Sequence, residues 1–418
     1  MGGSSWLLCG ICALSIVLML LRPRRIAEAW WVAGGALLLL ALGLVPWRVA
    51  LHAVGEGTDV YLFLAGMMLL SELALLNGVF DWLAANAVRH AKHSVSRLFV
   101  LVYVTGTLVT VLMSNDATAV VMTPAVLAAV KRTKSQPLPF LFACAMIANA
   151  ASFVLPISNP ANLVVFRSQM PPLGSWMAMF LLPSLASIVV TFVVLRWWFR
   201  RDLVGEAEDG RDAAPLTPGG RMAFGGIALM AVVLLAASAL HADLGLPAVI
   251  VGVVLTLMVS RGSGAELAQV FKGVSWSVLP LVAGLFVMVE AVNRVGLLAL
   301  AERTLLAAEG LPLWQGVFAT GFAVGVGNNL VNNLPLGLIA GAAVQAVGVH
   351  GALAKAVLIG VDMGPNLSVT GSLATILWLQ AIRSQGMHVS AKEFLKVGLV
   401  AMPMALLAAL GCVLLGGR

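Results

Sequence analysis

Four short polar clusters interrupt long apolar stretches of this chain, at Ser114–Thr118, Ser158–Asn162, Asn328–Asn333 and Asp362–Thr375. Each cluster combines hydroxyl or amide side chains with small residues, glycine or proline. Such clusters release backbone N–H and C=O groups from helical pairing, and inside a membrane this is tolerated only where the backbone lines a cavity or is buried in protein. The clusters therefore predict a polar binding site for a small solute, formed by Ser114, Asn115, Thr118, Ser158, Asn159, Asn162, Asn332, Asn333, Asn366, Thr370, Gly371, Ser372 and Thr375.

Two carboxylates, Asp116 and Asp362, lie in these clusters. An aspartate at the centre of a membrane costs about 2.5–3.5 kcal/mol on insertion scales, and intramembrane acids usually mark ion or proton paths. Both are candidate proton carriers, and Asp116 is the first choice. The competing interpretation is a structural hydrogen bond that holds a hairpin tip.

The composition predicts a membrane protein. Of the 418 residues, 61% are hydrophobic and only 10% are charged, whereas soluble domains carry about 25% charged residues. Apolar runs long enough to cross about 30 Å of hydrocarbon recur from end to end. The net charge of +7 does not indicate a nucleic-acid partner, because the charges lie in short loops between apolar runs rather than on one face of a domain.

The apolar runs predict ten crossings. These are 5–21, 27–45, 58–79, 138–168 and 174–197 in the first half, and 222–240, 245–261, 275–293, 352–382 and 393–415 in the second. Two further stretches, 98–130 and 312–348, are too long for one span and are broken by polar residues. Each is predicted to be a re-entrant helical hairpin that enters and leaves on the same side.

The basic residues orient these spans. The first apolar run ends in Arg22, Arg24 and Arg25, the reverse of a signal peptide, so it is predicted to be a retained helix. With both termini outside, most of the 25 lysine and arginine residues fall in cytoplasmic loops, as the positive-inside rule requires. The segment 81–97 is basic and is predicted to lie at the inner membrane interface. We therefore expect a multi-pass protein of the cell inner membrane.

An internal repeat links the two halves. Glu72 recurs as Glu290, and Gly78 as Gly296, in each case 218 positions later, and the same offset relates Asn115 to Asn333. Each half contains five crossings, and an odd number implies that the second copy is inserted upside down, as is typical of secondary transporters. The predicted units are a first inverted repeat at 1–200, a cytoplasmic linker at 201–221 and a second inverted repeat at 222–418. Each repeat is predicted to carry one re-entrant hairpin and one broken helix in an all-α fold.

The repeat strengthens the binding-site hypothesis. Hydroxyl and amide side chains in a single cluster are best explained as contacts between neighbouring helices. Four clusters related by the repeat favour a shared site, because the two hairpins and the two broken helices then bring four half-helix ends together near the midplane.

No motif for ATP hydrolysis or peptide and ester hydrolysis occurs, and no metal-site spacing of cysteines and histidines is present. We expect no enzymatic activity and no cofactor. Transport energy must therefore come from an ion gradient or from a partner protein.

The run 360–379 strongly resembles the signature of ArsB-type arsenite efflux pumps, which belong to the ion transporter superfamily. Asn115-Asp116-Ala117, the run 155–162 and Asn332-Asn333-Leu334-Pro335 resemble its other three motifs. The likeness covers essentially the whole chain. It implies export of arsenite and antimonite from the cytoplasm, driven by proton entry, alone or on a soluble ATPase subunit. The resemblance leaves that subunit and a homodimer open as partners.

The residue chemistry fits this implication. Arsenite is a neutral trihydroxide at pH 7, so its site needs hydroxyl and amide partners, and all four clusters lack arginine and lysine. The dicarboxylate carriers of the superfamily carry two Ser-Asn-Thr triplets, whereas here Ser114-Asn115 is followed by Asp116. A carboxylate beside the site would repel citrate or succinate. Two alternatives stay open: a sodium/proton antiporter, and a passive channel subunit of a pump.

Overall fold

The computed structural model describes residues 3–21, 23, 26–166, 170–208, 215–260 and 263–416. The first half contains the helices α1 Gly3–Leu21, α2 Glu28–Ala41, α3 Trp47–Glu56, α4 Thr58–Leu76, α5 Val79–His90, α6 Val95–Leu112, α7 Thr123–Arg132, α8 Leu138–Ala150, α9 Pro160–Phe166 and α10 Leu173–Trp198. The second half contains α11 Pro218–Ala239, α12 Gly245–Val259, α13 Gly264–Gly273, α14 Val278–Arg294, α15 Leu297–Glu309, α16 Leu313–Val331, α17 Asn333–Val347, α18 Ala352–Met363, α19 Leu373–Ser384 and α20 Ala391–Leu415.

The fold is that of an all-α polytopic membrane protein, as predicted. Among the described residues, six helical stretches are long and apolar enough to cross a membrane: α4, α6, α10, α11, α20 and the stretch Gly264–Arg294. Shorter apolar helices accompany them, including α2, α8, α12 and α17. The chain is therefore a multi-pass membrane protein. The number of ten crossings and the position of the termini stay predictions, and Arg22, Arg24 and Arg25 lie outside the described residues.

The order of helices in the first half recurs in the second, from α1 and α11 through to α10 and α20. Gly78 and Gly296 both precede the fifth helix of their half in a left-handed conformation, with φ of 71° and 90°. The contacts between the halves also correspond. In each half the second helix packs against the fourth helix of the other half, as α2 does against α14 and α12 does against α4. The opposite orientation of the two halves in the membrane and the unit boundaries at 200 and 221 stay predictions.

Several predicted elements differ from the observed ones. Helices α3, α13 and α15 were not predicted, because each is too short and too polar to resemble a span. The segment 81–97, predicted to lie at the inner interface, includes most of α5 and the start of α6: α5 ends at His90, and Lys92 and His93 adopt positive φ before α6 begins at Val95. Part of the predicted linker is helical, since Thr217 caps α11 and Pro218 occupies its first turn. Residues 209–214 of that linker lie outside the described residues.

Each hairpin packs against the broken helix of the other half. The second arm of the first hairpin, Ala117–Met122 followed by α7, contacts α19, and α17 contacts α9. These crossed contacts bring residues from distant parts of the sequence to one place. The fold thereby assembles the four predicted polar clusters into a common region.

Small residues allow helices α4 and α12, which lie outside the hairpins and the broken helices, to pack closely. A Cβ atom on Gly66 would clash with the backbone carbonyl of Ala248, and one on Gly252 would lie 2.7 Å from the carbonyl oxygen of Gly66. Close backbone approach at small residues is the usual source of helix association in membranes. The contact joins the two halves of the chain, because α4 lies in the first half and α12 in the second.

We expect Gly66→Ala to destabilise the protein by about 1–3 kcal/mol, since the backbone of α12 must move to admit the methyl group. Gly34→Ala is the matched control, because Gly34 is exposed on α2 and a Cβ atom there would contact nothing within 4 Å. The measurement is the apparent melting temperature of the purified variants in detergent. Equal melting temperatures for the two variants would contradict the close packing.

Candidate functional site

Both hairpins turn at a polar residue that caps the returning helix. In the first hairpin α6 ends at Leu112, and the Ser114 hydroxyl accepts a hydrogen bond from the Ala117 amide at 3.2 Å. In the second hairpin Asn332 has φ of 78°, and its side-chain oxygen accepts from the Leu334 amide at 3.4 Å. A capping side chain satisfies backbone donors that the helix leaves unpaired. The polar break predicted in each hairpin is therefore confirmed.

The two broken helices are built in the same way. Between α8 and α9 the side-chain oxygen of Asn159 accepts from the Ala161 amide at 3.0 Å. Between α18 and α19 the Ser372 hydroxyl accepts from the Thr375 amide at 3.1 Å. Both predicted long spans, 138–168 and 352–382, are thus divided by a segment of short 3-10 turns, at Pro156–Ser158 in the first and at Gly364–Asn366 and Val369–Gly371 in the second. In each break a polar residue directly precedes the second helical segment.

A small cavity of about 20 Å³ lies where these four breaks converge. It is lined by the first residues of the four returning segments and by one residue from each of two scaffold helices: Asn115, Asp116, Asn159, Pro160, Asn333, Leu334, Ser372, Leu373, Ala374, Leu64 and Val278. Four returning segments therefore present the amino-terminal ends of their backbone dipoles to one cavity. These amino-terminal helix ends supply backbone N–H donors and stabilise a ligand atom that carries partial negative charge.

Five of the predicted site residues lie on this cavity: Asn115, Asp116, Asn159, Asn333 and Ser372. The three amides and the hydroxyl can both donate and accept hydrogen bonds. The Asp116 carboxylate is half-buried and forms no hydrogen bond or ion pair with any described residue. The cavity therefore groups hydrogen-bonding amide and hydroxyl side chains around one acidic side chain.

Asp362 lies behind the cavity rather than on it. Its side chain is fully buried, and its carboxylate oxygen Oδ1 accepts a hydrogen bond from the Asn159 amide nitrogen at 2.8 Å. Asn159 also holds the start of α9 through Ala161. Asp362 thus orients a side chain that lines the cavity. This contact is structural, but it holds the broken helix of the first half rather than a hairpin tip.

Four predicted residues of the first half support the breaks and do not line the cavity: Ser114, Thr118, Ser158 and Asn162. The Thr118 hydroxyl lies 2.8 Å from that of Thr110 in α6 and thereby ties the two arms of the hairpin together. The Asn162 amide donates to the carbonyl oxygen of Ser152 at 3.0 Å. These side chains satisfy backbone groups that the breaks expose.

Five predicted residues of the second half also lie outside the cavity lining: Asn332, Asn366, Thr370, Gly371 and Thr375. The Asn332 amide donates to the carbonyl oxygen of Thr370 at 3.3 Å and so connects the second hairpin to the broken helix. Asn366 accepts from the Asn149 amide at 2.9 Å across the two halves. Only part of each predicted cluster therefore faces the cavity, and the role of these residues in substrate binding stays a prediction.

Sequence reasoning missed several residues that hold or line the site. Asn328 donates to the carbonyl oxygens of Gly360 and Val361 at 2.9 and 2.8 Å, and so fastens the second hairpin to α18. The apolar lining residues Leu64 and Val278 come from scaffold helices and carry no polar signal. Asn328 lies within a predicted cluster, so its type and position were a usable signal.

The comparisons with known proteins cover most of the chain. The sequence model of the citrate transporter family, CitMHS, matches residues 16–360. An arsenical pump membrane protein of Escherichia coli is 27% identical over 417 residues, covering 93% of this chain and 94% of that protein. An arsenical pump membrane protein of Yersinia enterocolitica is 26% identical over 411 residues, with 93% and 94% covered. The predicted resemblance to arsenite efflux pumps is thereby confirmed.

A solved structure shares the fold. The crystal structure of the Alcanivorax borkumensis YdaH transporter matches with a TM-score of 0.59 at 15% identity, covering 99% of this chain and 98% of that one. At this identity the match concerns the architecture alone. Together with the family match, it accounts for the helix order and the membrane character described above. The chain therefore belongs to the citrate transporter family of membrane transport proteins.

Proposed function

We propose that this protein exports arsenite and antimonite from the cytoplasm in exchange for protons. One observation carries the proposal: the cavity at the four chain breaks combines Asn115, Asn159, Asn333 and Ser372 with the carboxylate of Asp116, which pairs with no residue that the structure describes. Relatives that are named arsenical pump membrane proteins support it.

The substrate class follows from the cavity chemistry. A neutral trihydroxide such as arsenite donates and accepts hydrogen bonds, and so do the amide and hydroxyl side chains that line the cavity. The Asp116 carboxylate would repel a citrate or succinate anion in the same space. A neutral oxyacid therefore fits better than the carboxylates for which the family is named.

Proton coupling is assigned to Asp116. Under alternating access, protonation of Asp116 would favour one orientation of the transport region, and bound arsenite the other. A carboxylate on the cavity itself can sense whether the substrate is present. Asp362 is the second candidate, but it does not line the cavity and is connected to it through its hydrogen bond to Asn159.

Sodium/proton antiport is the second candidate function. The unpaired carboxylate of Asp116 favours it, because a carboxylate surrounded by amide and hydroxyl oxygens is a plausible ligand set for a small cation. An ATPase partner and a homodimer are further proposals that the cavity neither requires nor opposes. A passive channel subunit differs from both carriers because its flux would not depend on any ion gradient.

Everted membrane vesicles separate these functions. We expect vesicles that contain the protein to accumulate arsenite when respiration acidifies their lumen, and to lose this accumulation when a protonophore is added. The control is vesicles from cells that lack the protein. Sodium-dependent proton movement without arsenite transport would instead support the antiporter. Arsenite uptake that is independent of the proton and sodium gradients would support a channel.

A further inference from the structure

A second pocket, remote from the transport cavity, lies at the end of α10. It has a volume of about 640 Å³ and is formed by the last turns of α10, the first turn of α6 and the segment that follows α10. Arg196 and Arg200 provide its positive charge, and Ser94 and Ser96 provide hydroxyl groups. The transport mechanism does not use any of these residues.

The two guanidinium groups are available to a ligand. Arg196 donates to the Ser96 hydroxyl at 2.7 Å, and the Arg200 guanidinium carbon lies 5.6 Å from the centre of the Trp197 ring. Neither arginine forms an ion pair with a carboxylate in the part of the chain that the structure describes. Two arginines that are not neutralised form a site suited to a phosphate group, which guanidinium groups bind with paired hydrogen bonds.

The surface next to the arginines is apolar and exposed. Val193 and Trp197 on α10 are 55% and 54% exposed, and Val204 in the following segment is 76% exposed. Tryptophan is enriched at the membrane interface, where its ring lies at the level of the lipid headgroups. A ligand with an anionic head and apolar chains would satisfy both the arginines and this surface.

We propose that this pocket binds the headgroup of an anionic phospholipid. The basic residues place this end of α10 on the predicted cytoplasmic side, where anionic lipids attract basic clusters and headgroups occupy basic pockets between transmembrane helices. The phosphate lies between Arg196 and Arg200, and the acyl chains run along Val193 and Trp197. The lipid is a regulatory or stabilising ligand, distinct from the transported solute.

The segment that lines the pocket also contacts the end of the first hairpin. The segment that follows α10 lines the pocket at Leu203 and Val204. A few residues later the Glu208 amide donates to the carbonyl oxygen of Thr133 at 3.1 Å, and the Glu208 carboxylate pairs with Lys134 at 2.8 Å. Thr133 and Lys134 directly follow α7, the second arm of the hairpin. A bound headgroup therefore holds the segment that braces this hairpin.

Native mass spectrometry of the purified full-length protein tests the proposal. Samples in detergent are titrated with phosphatidylglycerol, with phosphatidylcholine and with inorganic phosphate. We expect phosphatidylglycerol to remain bound at concentrations about tenfold lower than phosphatidylcholine, and inorganic phosphate not to displace it. Equal binding of the two lipids would overturn the proposal, and so would displacement by inorganic phosphate, which would indicate a site for a free anion.

Variants locate the lipid. R196Q/R200Q is expected to weaken phosphatidylglycerol binding about 30-fold, since the two guanidinium groups supply the attraction of the pocket for an anionic headgroup. R201Q is the matched control, because Arg201 is an exposed neighbour that does not line the pocket. R196K/R200K keeps the charge and the fold and should retain selectivity for the anionic lipid. Undiminished binding to R196Q/R200Q, or an equal loss in R201Q, would refute the assignment.

Discussion

Replacing Asp116 with asparagine is expected to abolish accumulation of arsenite driven by a proton gradient while preserving the fold. Asparagine has nearly the same shape as aspartate but cannot carry the titrating proton. The site tolerates this change, because the Asp116 carboxylate forms no hydrogen bond or ion pair with any described residue. The neighbouring Asn115 shows that an amide is already accommodated at this end of the cavity.

The measurement for Asp116→Asn combines two assays. Arsenite uptake into energised everted vesicles reports proton-driven accumulation, and exchange of labelled arsenite across liposomes that contain the protein reports substrate binding and reorientation. We expect uptake at the level of vesicles without the protein, together with exchange close to that of the wild type. Loss of both activities would show instead that Asp116 binds the substrate directly.

The control for Asp116→Asn is Asp81→Asn, since Asp81 is an exposed acid in the first turn of α5 and does not line the cavity. This variant should accumulate arsenite as the wild type does. If Asp116→Asn also concentrates arsenite against its gradient, Asp116 is not the coupling residue and the coupling proposal fails.

The breaks in the helices could be predicted from the sequence because their cause is local. Ser114, Asn332, Asn159 and Ser372 are residues whose side chains compete for backbone N–H groups, and each directly precedes or caps a returning segment. Because of the internal repeat, a broken hairpin and a broken helix were predicted in each half of the chain. These local signals also predicted the four breaks whose returning segments line the cavity.

The sequence did not predict which residues of each cluster line the cavity and which form hydrogen bonds with the surrounding backbone. Asn159 and Asn162 differ by less than one helical turn, yet Asn159 faces the cavity and Asn162 bonds to the carbonyl oxygen of Ser152. Which side chain faces the cavity depends on how the hairpins cross the broken helices, and that arrangement is set by contacts between the two halves. A single sequence carries no direct signal for those contacts.

Two local features were also beyond sequence reasoning. The helical turns at Ala117–Met122 are widened to a π-helix, which follows from a one-residue shift in hydrogen bonding rather than from residue type. Helices such as α3 and α15 are amphipathic and shorter than a membrane span. Their charged residues resemble those of loops, so hydropathy alone does not separate them from connecting segments.

Asp362 offers the second test, because its two substitutions separate a structural role from a proton-carrying role. The carboxylate accepts the hydrogen bond of the Asn159 amide at 2.8 Å in a fully buried setting. Asp362→Asn keeps an acceptor oxygen at this position but removes the titrating proton. Asp362→Ala removes the acceptor and leaves the Asn159 amide without its partner.

We expect Asp362→Ala to lower arsenite transport about tenfold or more, since a buried donor left unpaired costs about 1–3 kcal/mol and Asn159 lines the cavity. Asp362→Asn should retain most of the proton-driven accumulation, because the acceptor that orients Asn159 is still present. Both variants are measured in energised everted vesicles, with the apparent melting temperature in detergent as a check that each one folds.

The opposite pattern would assign the proton to Asp362. If Asp362→Asn loses accumulation as completely as Asp362→Ala while both remain folded, the titrating proton is what matters at this position. Asn159→Ala then serves as the comparison, because it removes the other partner of the same hydrogen bond. When orientation of Asn159 is the function of Asp362, Asn159→Ala and Asp362→Ala must show similar losses, and combining them must add little to either loss alone.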